Sequence, residues 1–286
     1  MSTAFAKDIT YQGFPAIHLR SPAGAEAIVL LYGAHLVSWK PAGGEERLFM
    51  SEKCIFKAGT PVRGGVPVCF PQFGQNGPLP QHGFVRTRMW QKSEAKVGED
   101  FAVATLSITD DDEIRAMWPF PFKAELSVSI TDTRLDIEFG CENTGTKPLE
   151  FSLALHTYMQ VKEVEEVTLE GLRGQTYRNL LNKDTVEEKL DTGVSLSIDD
   201  AITRMYYETK NPLLLREPRR SLGIHTENLP DTVVWNPWET GCATLPDMAA
   251  SDFRRMLCVE AAVAQRPVVL PAGEEWVGRQ SLAVLG

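Results

Sequence analysis

Several features that define common protein classes are absent from this chain of 286 residues. No apolar run approaches the ~18 residues of a membrane-spanning helix. No dinucleotide-binding glycine fingerprint, phosphate-binding P-loop or serine nucleophile elbow occurs either. Basic residues are in the minority, because 29 lysines and arginines face 38 aspartates and glutamates, a net charge of −9. A nucleic-acid-binding domain would show a basic face. We therefore expect neither a membrane span nor a nucleic-acid partner.

Cysteine and histidine patterns are equally sparse. The five cysteines are scattered and form no Cys-x-x-Cys pair, which is typical of a reducing compartment. The N-terminus lacks the apolar core of a signal peptide, so a cytoplasmic protein is expected. The five histidines include no His-x-His and no His-Glu-x-x-His arrangement. The sequence therefore predicts no metal and no other cofactor.

Period-two alternation of apolar and polar residues dominates what is present. Glu125–Ile130 and Leu135–Cys141 alternate on either side of a short turn, which predicts an antiparallel hairpin with one solvated face. Further strands are predicted at Ala27–Leu31, Tyr32–Lys40, Phe101–Thr109, Leu149–Met159, Glu166–Leu169, Leu213–Leu215, Thr232–Trp235, Met256–Val263, Pro267–Leu270 and Glu275–Val284. Helical periodicity is weak, with one or two turns expected at Asp247–Arg255. The pattern predicts an all-β sandwich or barrel, built as a single domain over residues 1–286.

The segment Pro61–Trp90 differs from the rest of the chain in composition. It holds five prolines, five glycines, three arginines and His82. Glycine permits backbone conformations that other residues avoid, and proline fixes φ. Because long ordered loops commonly carry function, this segment is a candidate binding loop. An ordinary surface connection is the alternative. Its arginines are the place where an otherwise acidic chain could hold an anion.

Two predicted strands present one ionisable side chain each on a face of small residues. Along Leu149–Met159, the residues Ser152, Ala154, His156 and Tyr158 share one face. Along Met256–Val263, Glu260 lies between Cys258 and Ala262 on its face, where an unpaired carboxylate is expensive to bury. A structural core histidine and a buried ion pair are the alternatives. If one cavity holds both groups, histidine can exchange protons near neutrality while glutamate stays ionised.

Five motifs in this order resemble one known family. They are Arg63-Gly-Gly-Val-Pro-Val-Cys-Phe-Pro-Gln-Phe-Gly74, Gln81-His-Gly-Phe-Val-Arg86 with Trp90, Leu155-His-Thr-Tyr158, Val234-Trp-Asn-Pro-Trp238 with Asp247, and Cys258-Val-Glu260. Together they resemble the glucose-6-phosphate 1-epimerases (hexose-6-phosphate mutarotases) of the aldose 1-epimerase superfamily, from about Tyr32 to Gly278. The resemblance implies a galactose mutarotase-like β-supersandwich of mostly antiparallel strands with few short helices.

The same resemblance implies roles for individual residues. His156 falls on the family's catalytic acid, which donates to the ring oxygen, and Glu260 on its base, which acts on the C1 hydroxyl. Substrate contacts fall on Arg63, Gln81 and Arg86, and His82 falls on a position that steadies the ring oxygen in related enzymes. One departure stands out, because the family's sugar-binding aspartate is replaced here by Thr203. Whether Asp199 or Asp200 substitutes for it is left open by the sequence.

The expected activity is therefore interconversion of the α and β anomers of glucose 6-phosphate, with other hexose 6-phosphates as further candidates. Arg63 and Arg86 would hold the phosphate, since a guanidinium fork matches phosphate oxygens. Arg88 is a weaker candidate, which would share a face with Arg86 if residues 86 and 88 lay on a strand. We expect a monomer in which His156 and Glu260 lie on opposite sides of one small hollow, with guanidinium groups at its rim.

Three other functions compete with this hypothesis. The nearest is an aldose 1-epimerase for unphosphorylated sugars, which would use the same acid and base. A noncatalytic carbohydrate-binding module on the same scaffold would bind sugars without exchanging their anomers. A metal-dependent isomerase would need a set of histidine and glutamate ligands that the sequence lacks.

Overall fold

The computed structural model of the protein describes residues 3–181 and 187–285. Its strands are β1 (Phe5–Tyr11), β2 (Phe14–Arg20), β3 (Glu26–Leu30), β4 (Leu36–Lys40), β5 (Val68–Cys69), β6 (Gln91–Val97), β7 (Ala102–Thr109), β8 (Lys123–Ile130), β9 (Arg134–Glu142), β10 (Leu149–Leu155), β11 (Tyr158–Gln160), β12 (Thr168–Glu170), β13 (Thr176–Asn179), β14 (Glu188–Leu190), β15 (Ser195–Ser197), β16 (Ile202–Tyr206), β17 (Leu213–Glu217), β18 (Arg220–Glu227), β19 (Asp231–Asn236), β20 (Met256–Leu270) and β21 (Glu275–Leu285). The described residues also form two α-helices, α1 (Asp112–Met117) and α2 (Trp238–Thr244), and 3-10 turns at Val85–Thr87, Val164–Glu166 and Asp252–Arg255.

Two large antiparallel sheets make up most of the protein. One has eight strands in the order β14-β13-β16-β19-β20-β10-β5, with β11 pairing with β20. The other has nine strands in the order β15-β12-β17-β18-β21-β9-β8-β7-β6, and β1 to β4 form a smaller third sheet. Neighbouring strands in the large sheets run antiparallel. The all-β prediction is therefore confirmed.

The two large sheets pack face to face through aromatic side chains. Phe151 of β10 meets Trp276 of β21 with ring centroids 5.4 Å apart. Phe70 contacts both Phe139 of β9 (5.0 Å) and Phe151 (5.2 Å). Fully burying an apolar side chain of this kind contributes roughly 1.5–3 kcal/mol relative to leaving it exposed. This packing uses one face of the eight-stranded sheet, so the other face is available for a site.

That other face is lined by small and apolar side chains from adjacent strands. Ala154 of β10 pairs with Cys69 of β5 on one side and with Ala262 of β20 on the other. Val233 of β19 and Met205 of β16 continue the same cluster. Side chains opposite each other on neighbouring strands share a face. The eight-stranded sheet therefore carries a row of short side chains outside the main core.

The period-two hairpin is confirmed, with Ile130 of β8 paired to Leu135 of β9 and alternate residues buried along both strands. Two strand boundaries were predicted wrongly. The predicted strand Leu149–Met159 is interrupted at residues 156–157, where the chain leaves β10 before entering β11. The predicted strands Met256–Val263 and Pro267–Leu270 are a single strand, β20, because its exposed second half continues to pair with β10.

The helices also differ from the predictions. Helix α1 was not predicted. It begins at Asp112, because the Asp111 carboxylate accepts a hydrogen bond from the Ile114 N–H (2.7 Å) and caps the helix. The helical turns predicted at Asp247–Arg255 are limited to the 3-10 turn Asp252–Arg255. Helix α2 was not predicted. Both α-helices are short, as expected for a fold dominated by sheets.

The segment Pro61–Trp90 is held tightly against the sheets. At Gly65, φ is +61° and an added Cβ would lie 2.2 Å from the Leu36 carbonyl oxygen, so a side chain would not fit there. The Gly65 N–H donates to the Phe49 carbonyl (2.7 Å), and the buried His35 places Nε2 2.7 Å from the Gly64 carbonyl. These contacts fix the backbone immediately after Arg63.

Candidate functional site

His156 stands where β10 ends, and the Pro61–Trp90 segment holds its backbone. The His156 N–H donates to the Pro67 carbonyl (3.0 Å), and the Tyr158 N–H donates to the Gly65 carbonyl (2.9 Å). Because these bonds replace ordinary strand pairing, the chain bends at His156 and turns the imidazole toward β20. The residue is only 9% exposed. A loop that is close to 90 residues away in sequence thus orients this side chain.

Glu260 lies on β20 opposite Val233 and is 2% exposed. Its Oε1 is 3.4 Å from Nε2 of His156, while its Oε2 is buried without a hydrogen-bond partner among the described residues. The sequence predicted that Glu260 would need a partner, and that partner is His156. The two groups touch directly, so the expectation that they face each other across a hollow is wrong.

Burial changes the protonation of both groups. It raises the pKa of Glu260 well above the usual 4.5, because the charged carboxylate loses its hydration. Burial also lowers the pKa of His156 well below 6.5, and charge repulsion from the nearby cations Arg63 and Arg86 lowers it further. Both effects favour the neutral forms of the unliganded pair, so burial places the proton on the carboxyl rather than on the imidazole. Burial therefore acts against the expected ionised form of Glu260.

His82 lies directly beside the pair. Its ring is 5.6 Å from the His156 ring and 5.2 Å from that of Phe73, in edge-on contacts. Burial, followed by repulsion from Arg86 and Arg63, lowers the pKa of His82 to about 3, so the ring is neutral. Its Nδ1 accepts a hydrogen bond from the Gly74 N–H (3.3 Å), which leaves the ring hydrogen on Nε2. His82 can therefore donate a hydrogen bond from that atom.

Arg63 is already anchored by protein groups. Its Nε donates to Oδ2 of Asp247 (3.1 Å), and its Nη1 donates to the Tyr158 hydroxyl (3.1 Å). A guanidinium carries five N–H donors, so these two bonds leave others for a ligand. Asp247 belongs to one of the motifs noted in the sequence, but its pairing with Arg63 was not predicted.

Arg86 and Gln81 form the outer part of the same cluster. Nη2 of Arg86 donates to the Gln81 carbonyl oxygen (2.8 Å), and Nε2 of Gln81 lies 3.4 Å from Nε2 of His82. Among the residues that the structure describes, Arg86 has no carboxylate partner within ion-pairing distance. Its charge is close enough to lower the pKa of both His82 and His156. Arg86 is thus a cation next to His156 and Glu260, and no salt bridge within the described residues balances the charge of Arg86.

Arg88 is engaged elsewhere. Its Nη1 and Nη2 each lie 2.7 Å from a carboxylate oxygen of Glu113, in a two-pronged ion pair. The assumption that residues 86–88 form a strand is wrong, because Val85–Thr87 form a 3-10 turn with Arg88 as its extended C-cap. The weaker phosphate-binding candidate therefore does not join Arg63 and Arg86.

Two aromatic side chains complete the wall around His156. The Tyr158 ring stacks on the His156 ring with a centroid distance of 4.8 Å, and the Trp235 ring meets both edge-on at 5.9 Å. Neither residue was predicted from the sequence to belong to the site. Tyr158 shares the predicted face of His156, and this signal was sufficient to include it. Trp235 could be assigned to the site only once it was known that β19 pairs with β20.

Thr203, which the resemblance places where the family usually has an aspartate, lies on β16 directly opposite Trp235. It therefore shares the face of the sheet that carries the site. Asp199 and Asp200 are exposed in the turn before β16, and Asp200 accepts a hydrogen bond from the adjacent Ala201 N–H (2.6 Å). Neither carboxylate occupies the position of Thr203 on that face.

Within residues 3–181 and 187–285, no group of three or more histidine, cysteine, aspartate or glutamate side chains is arranged to hold a metal ion. All five cysteines are unpaired thiols. In the same described ranges, every helix is too short or too polar to span a membrane.

Comparison with known proteins gives consistent results. The model of the aldose 1-epimerase family matches residues 15–283. A protein of Cenchrus ciliaris with the provisional name glucose-6-phosphate 1-epimerase is 33% identical over 286 aligned residues, covering 96% of this chain and 86% of that protein. A protein of Escherichia coli K12 with the same provisional name is 33% identical over 244 residues, covering 84% of this chain and 80% of its own.

Solved structures show the same likeness. A provisionally identified mutarotase from Salmonella typhimurium aligns with a TM-score of 0.89 at 25% identity, covering 98% of this chain and 93% of that chain. A galactose 1-epimerase from Lactobacillus acidophilus aligns with a TM-score of 0.76 at 15% identity, covering 99% of both chains, which indicates a common fold. These likenesses confirm the expected galactose mutarotase-like architecture.

Proposed function

Because this chain belongs to the aldose 1-epimerase family and is an epimerase, we propose that it interconverts the α and β anomers of glucose 6-phosphate. The observation that carries the proposal is the 3.4 Å contact between His156 and Glu260, next to the cations Arg63 and Arg86. An acid and a base in direct contact can act together on the two oxygens that share the anomeric carbon. The arginines supply a reason for a phosphorylated substrate.

The shared proton must first move to His156. In the unliganded pair it resides on the Glu260 carboxyl, whereas ring opening needs a protonated imidazole and an ionised carboxylate. Repulsion from Arg63 and Arg86 is one cause of the low pKa of His156. A bound phosphate dianion offsets that repulsion and raises the pKa of His156. Substrate binding thus favours transfer of the proton across the contact from Glu260 to Nε2.

Ring opening then proceeds without a covalent intermediate. The Glu260 carboxylate takes the proton of the C1 hydroxyl as the C1–O5 bond breaks and C1 becomes an aldehyde. The electron pair of that bond goes to O5, which receives the proton of His156. Neutral His82 donates a hydrogen bond from Nε2 to O5 and stabilises the charge that develops there. Each proton transfer contributes roughly 10²–10⁴-fold to the rate.

Ring closure reverses these steps on the other face of the aldehyde. After rotation about the C1–C2 bond, O5 attacks C1 and gives its proton back to His156. Glu260 returns its proton to the former carbonyl oxygen, which becomes the C1 hydroxyl of the opposite anomer. The pair ends the cycle in its starting state, so the reaction consumes no cofactor.

The phosphate is assigned to the remaining donors of Arg63 and to Arg86. Asp247 and Tyr158 hold Arg63 in place, so its fork is oriented before the ligand arrives. Arg86 has no salt-bridge partner within the described ranges and is available for an anion. Gln81 contacts the substrate beside His82. Bidentate guanidinium–phosphate pairing is strong and directional, which supports selectivity for phosphorylated sugars.

The experiment that tests this function is exchange NMR spectroscopy on glucose 6-phosphate and on glucose. We expect exchange between anomer signals at low enzyme concentration, with kcat/KM at least tenfold higher for the phosphate ester. Equal kcat/KM for both sugars would instead indicate an aldose 1-epimerase for unphosphorylated sugars. Saturable binding without exchange would identify a noncatalytic sugar-binding module. Galactose and mannose 6-phosphates extend the comparison to other hexose 6-phosphates.

Four sequence predictions accompany this proposal. We propose that the protein works as a monomer, that residues 1–286 form a single domain, that it acts in the cytoplasm and that it requires no metal or other cofactor. Size-exclusion chromatography tests the first. Activity after exhaustive dialysis against a chelator tests the last, since activity restored only by added metal would contradict it.

A further inference from the structure

A fully buried polar side chain of the nine-stranded sheet forms hydrogen bonds to the sequence neighbours of both His156 and Glu260. Gln280 lies on β21 and is 0% exposed. The Thr157 hydroxyl donates to its Oε1 (2.5 Å), and its Nε2 donates to the Val259 carbonyl oxygen (3.1 Å). Thr157 directly follows His156, and Val259 directly precedes Glu260. A single amide thus bridges the neighbours of both groups.

The bridge closes a ring of three hydrogen bonds. The third bond runs from the Val259 N–H to the Thr157 carbonyl oxygen (3.1 Å). The ring sits at the point where β10 ends and β11 begins, so regular strand pairing does not hold residues 156–157 there. An amide buried in an apolar core costs free energy unless its hydrogen bonds are made, and here both its oxygen and its nitrogen are bonded.

We propose that Gln280 is a positioning residue that sets the separation of His156 and Glu260 from behind the eight-stranded sheet. It touches neither substrate nor reacting atoms. Its hydrogen bonds lie on the face of the sheet opposite the site. They link the bend that carries the His156 imidazole with the strand that carries the Glu260 carboxylate. This inference rests on the proposed epimerase function for its kinetic consequences, but the geometry that it describes exists in the protein without substrate.

The physical reason is the steep dependence of proton transfer on distance. The proton shared by His156 and Glu260 crosses a contact of 3.4 Å, and a misplacement of about 1 Å can reduce a rate about 10²-fold. Without the amide, the bend at His156 keeps its bonds to the Pro61–Trp90 segment, but its tie to β20 is reduced to the single bond from the Val259 N–H to the Thr157 carbonyl. The imidazole is then held less firmly at its distance from the carboxylate.

The test compares Gln280→Met with Gln280→Glu and Thr157→Val. Methionine keeps the length of the side chain but makes no bridge. Burial keeps the carboxyl introduced by Gln280→Glu protonated, so it can accept from Thr157 and donate to the Val259 carbonyl. Thr157→Val breaks the bridge from its other end. Ser281→Ala is the matched control, because Ser281 is also buried on β21 but bonds Asp136 and Arg134 on the other side of the strand.

We expect kcat on glucose 6-phosphate to fall about 10- to 100-fold in Gln280→Met and in Thr157→Val, with KM nearly unchanged. Gln280→Glu should recover most of this loss, and Ser281→Ala should behave like wild type. Without substrate, the ¹⁵N signals of the His156 imidazole should also differ between Gln280→Met and wild type. The pH titration curve of these signals should differ as well. A lower melting temperature combined with unchanged kcat and unchanged imidazole signals would overturn the proposal.

The NMR measurement separates this inference from the proposed function. If the wild-type protein exchanges no hexose phosphate, the proposed function fails. The imidazole titration alone then decides the role of Gln280. If Gln280→Met does not fold, the same measurements on Thr157→Val decide it.

Discussion

Arg63 and Asp247 lie 184 positions apart in the sequence and form an ion pair with an Nε–Oδ2 distance of 3.1 Å. The same guanidinium donates to the Tyr158 hydroxyl, and the Tyr158 ring stacks on His156. One tyrosine therefore connects the proposed phosphate-binding cation to the proposed acid. Oδ1 of Asp247 is buried without a hydrogen-bond partner among the described residues, so this carboxylate depends heavily on Arg63.

Arg63→Ala should therefore reduce stability as well as phosphate binding. Removing Arg63 leaves the largely buried Asp247 carboxylate without its counter-charge. We expect the free energy of unfolding to fall by about 2 kcal/mol, between the values typical of exposed and fully buried pairs. Urea denaturation measures this change. The double variant Arg63→Ala/Asp247→Ala is the control and should be more stable than Arg63→Ala alone, whereas equal stability of the two would show that the pair is not coupled.

Arg86→Ala and Arg88→Ala form a matched pair two residues apart. Because Arg86 faces the acid–base pair without a carboxylate partner in the described ranges, its loss should raise KM for glucose 6-phosphate at least tenfold. Activity on glucose should change little. Arg88→Ala should leave both the KM for glucose 6-phosphate and the activity on glucose near wild type, since Arg88 bonds Glu113. Steady-state kinetics on both sugars checks this, and equal effects of the two substitutions would remove Arg86 from the phosphate site.

Glu260→Gln should abolish anomer exchange and leave the fold intact. The amide has the shape of the neutral carboxyl that burial favours, but it cannot accept the proton of the C1 hydroxyl. We expect kcat to fall by at least roughly 10²–10⁴-fold, measured polarimetrically. Calorimetric binding of glucose 6-phosphate should be largely preserved. Near-normal exchange in this variant would refute the assignment of Glu260 as base.

The raised pKa of Glu260 also predicts a pH dependence of stability. The folded protein retains a proton on Glu260 above pH 4.5, where the unfolded chain releases it. The stabilising contribution of Glu260 is therefore complete below pH 4.5 and is lost as pH rises toward its folded pKa. The difference in unfolding free energy between wild type and Glu260→Gln should fall by up to about 1.4 kcal/mol per pH unit above that point.

Urea denaturation at a series of pH values measures this difference. Burial and the cations Arg63 and Arg86, which lower the pKa of His156, are the same in both proteins. The subtraction therefore removes their effect and leaves the contribution of the Glu260 carboxyl together with its contact to His156. Parallel stability curves for the two proteins would show that Glu260 is ionised in the folded state.

Much of the fold was predictable because its signal is local. Alternation along Glu125–Ile130 and Leu135–Cys141 reports one buried and one solvated face, and β8 and β9 pair accordingly. The break at His156 was not predictable, because the His156 and Tyr158 N–H groups donate to the carbonyls of Pro67 and Gly65, far away in sequence, and these bonds interrupt the strand. Helix α1 was missed because a few residues with a single cap give too little periodicity.

The sequence by itself determined an all-β protein, the membership of six candidate residues in recognisable motifs, and the faces that His156 and Glu260 share with small neighbours. Only the tertiary structure decided that these two groups touch, that Asp247 and Tyr158 hold Arg63, and that Arg88 turns away to Glu113. It also decided their protonation, because a pKa depends on the burial and charges that surround a group in space. Local sequence sets which way a side chain points along its strand, whereas strand order and loop packing determine what it meets.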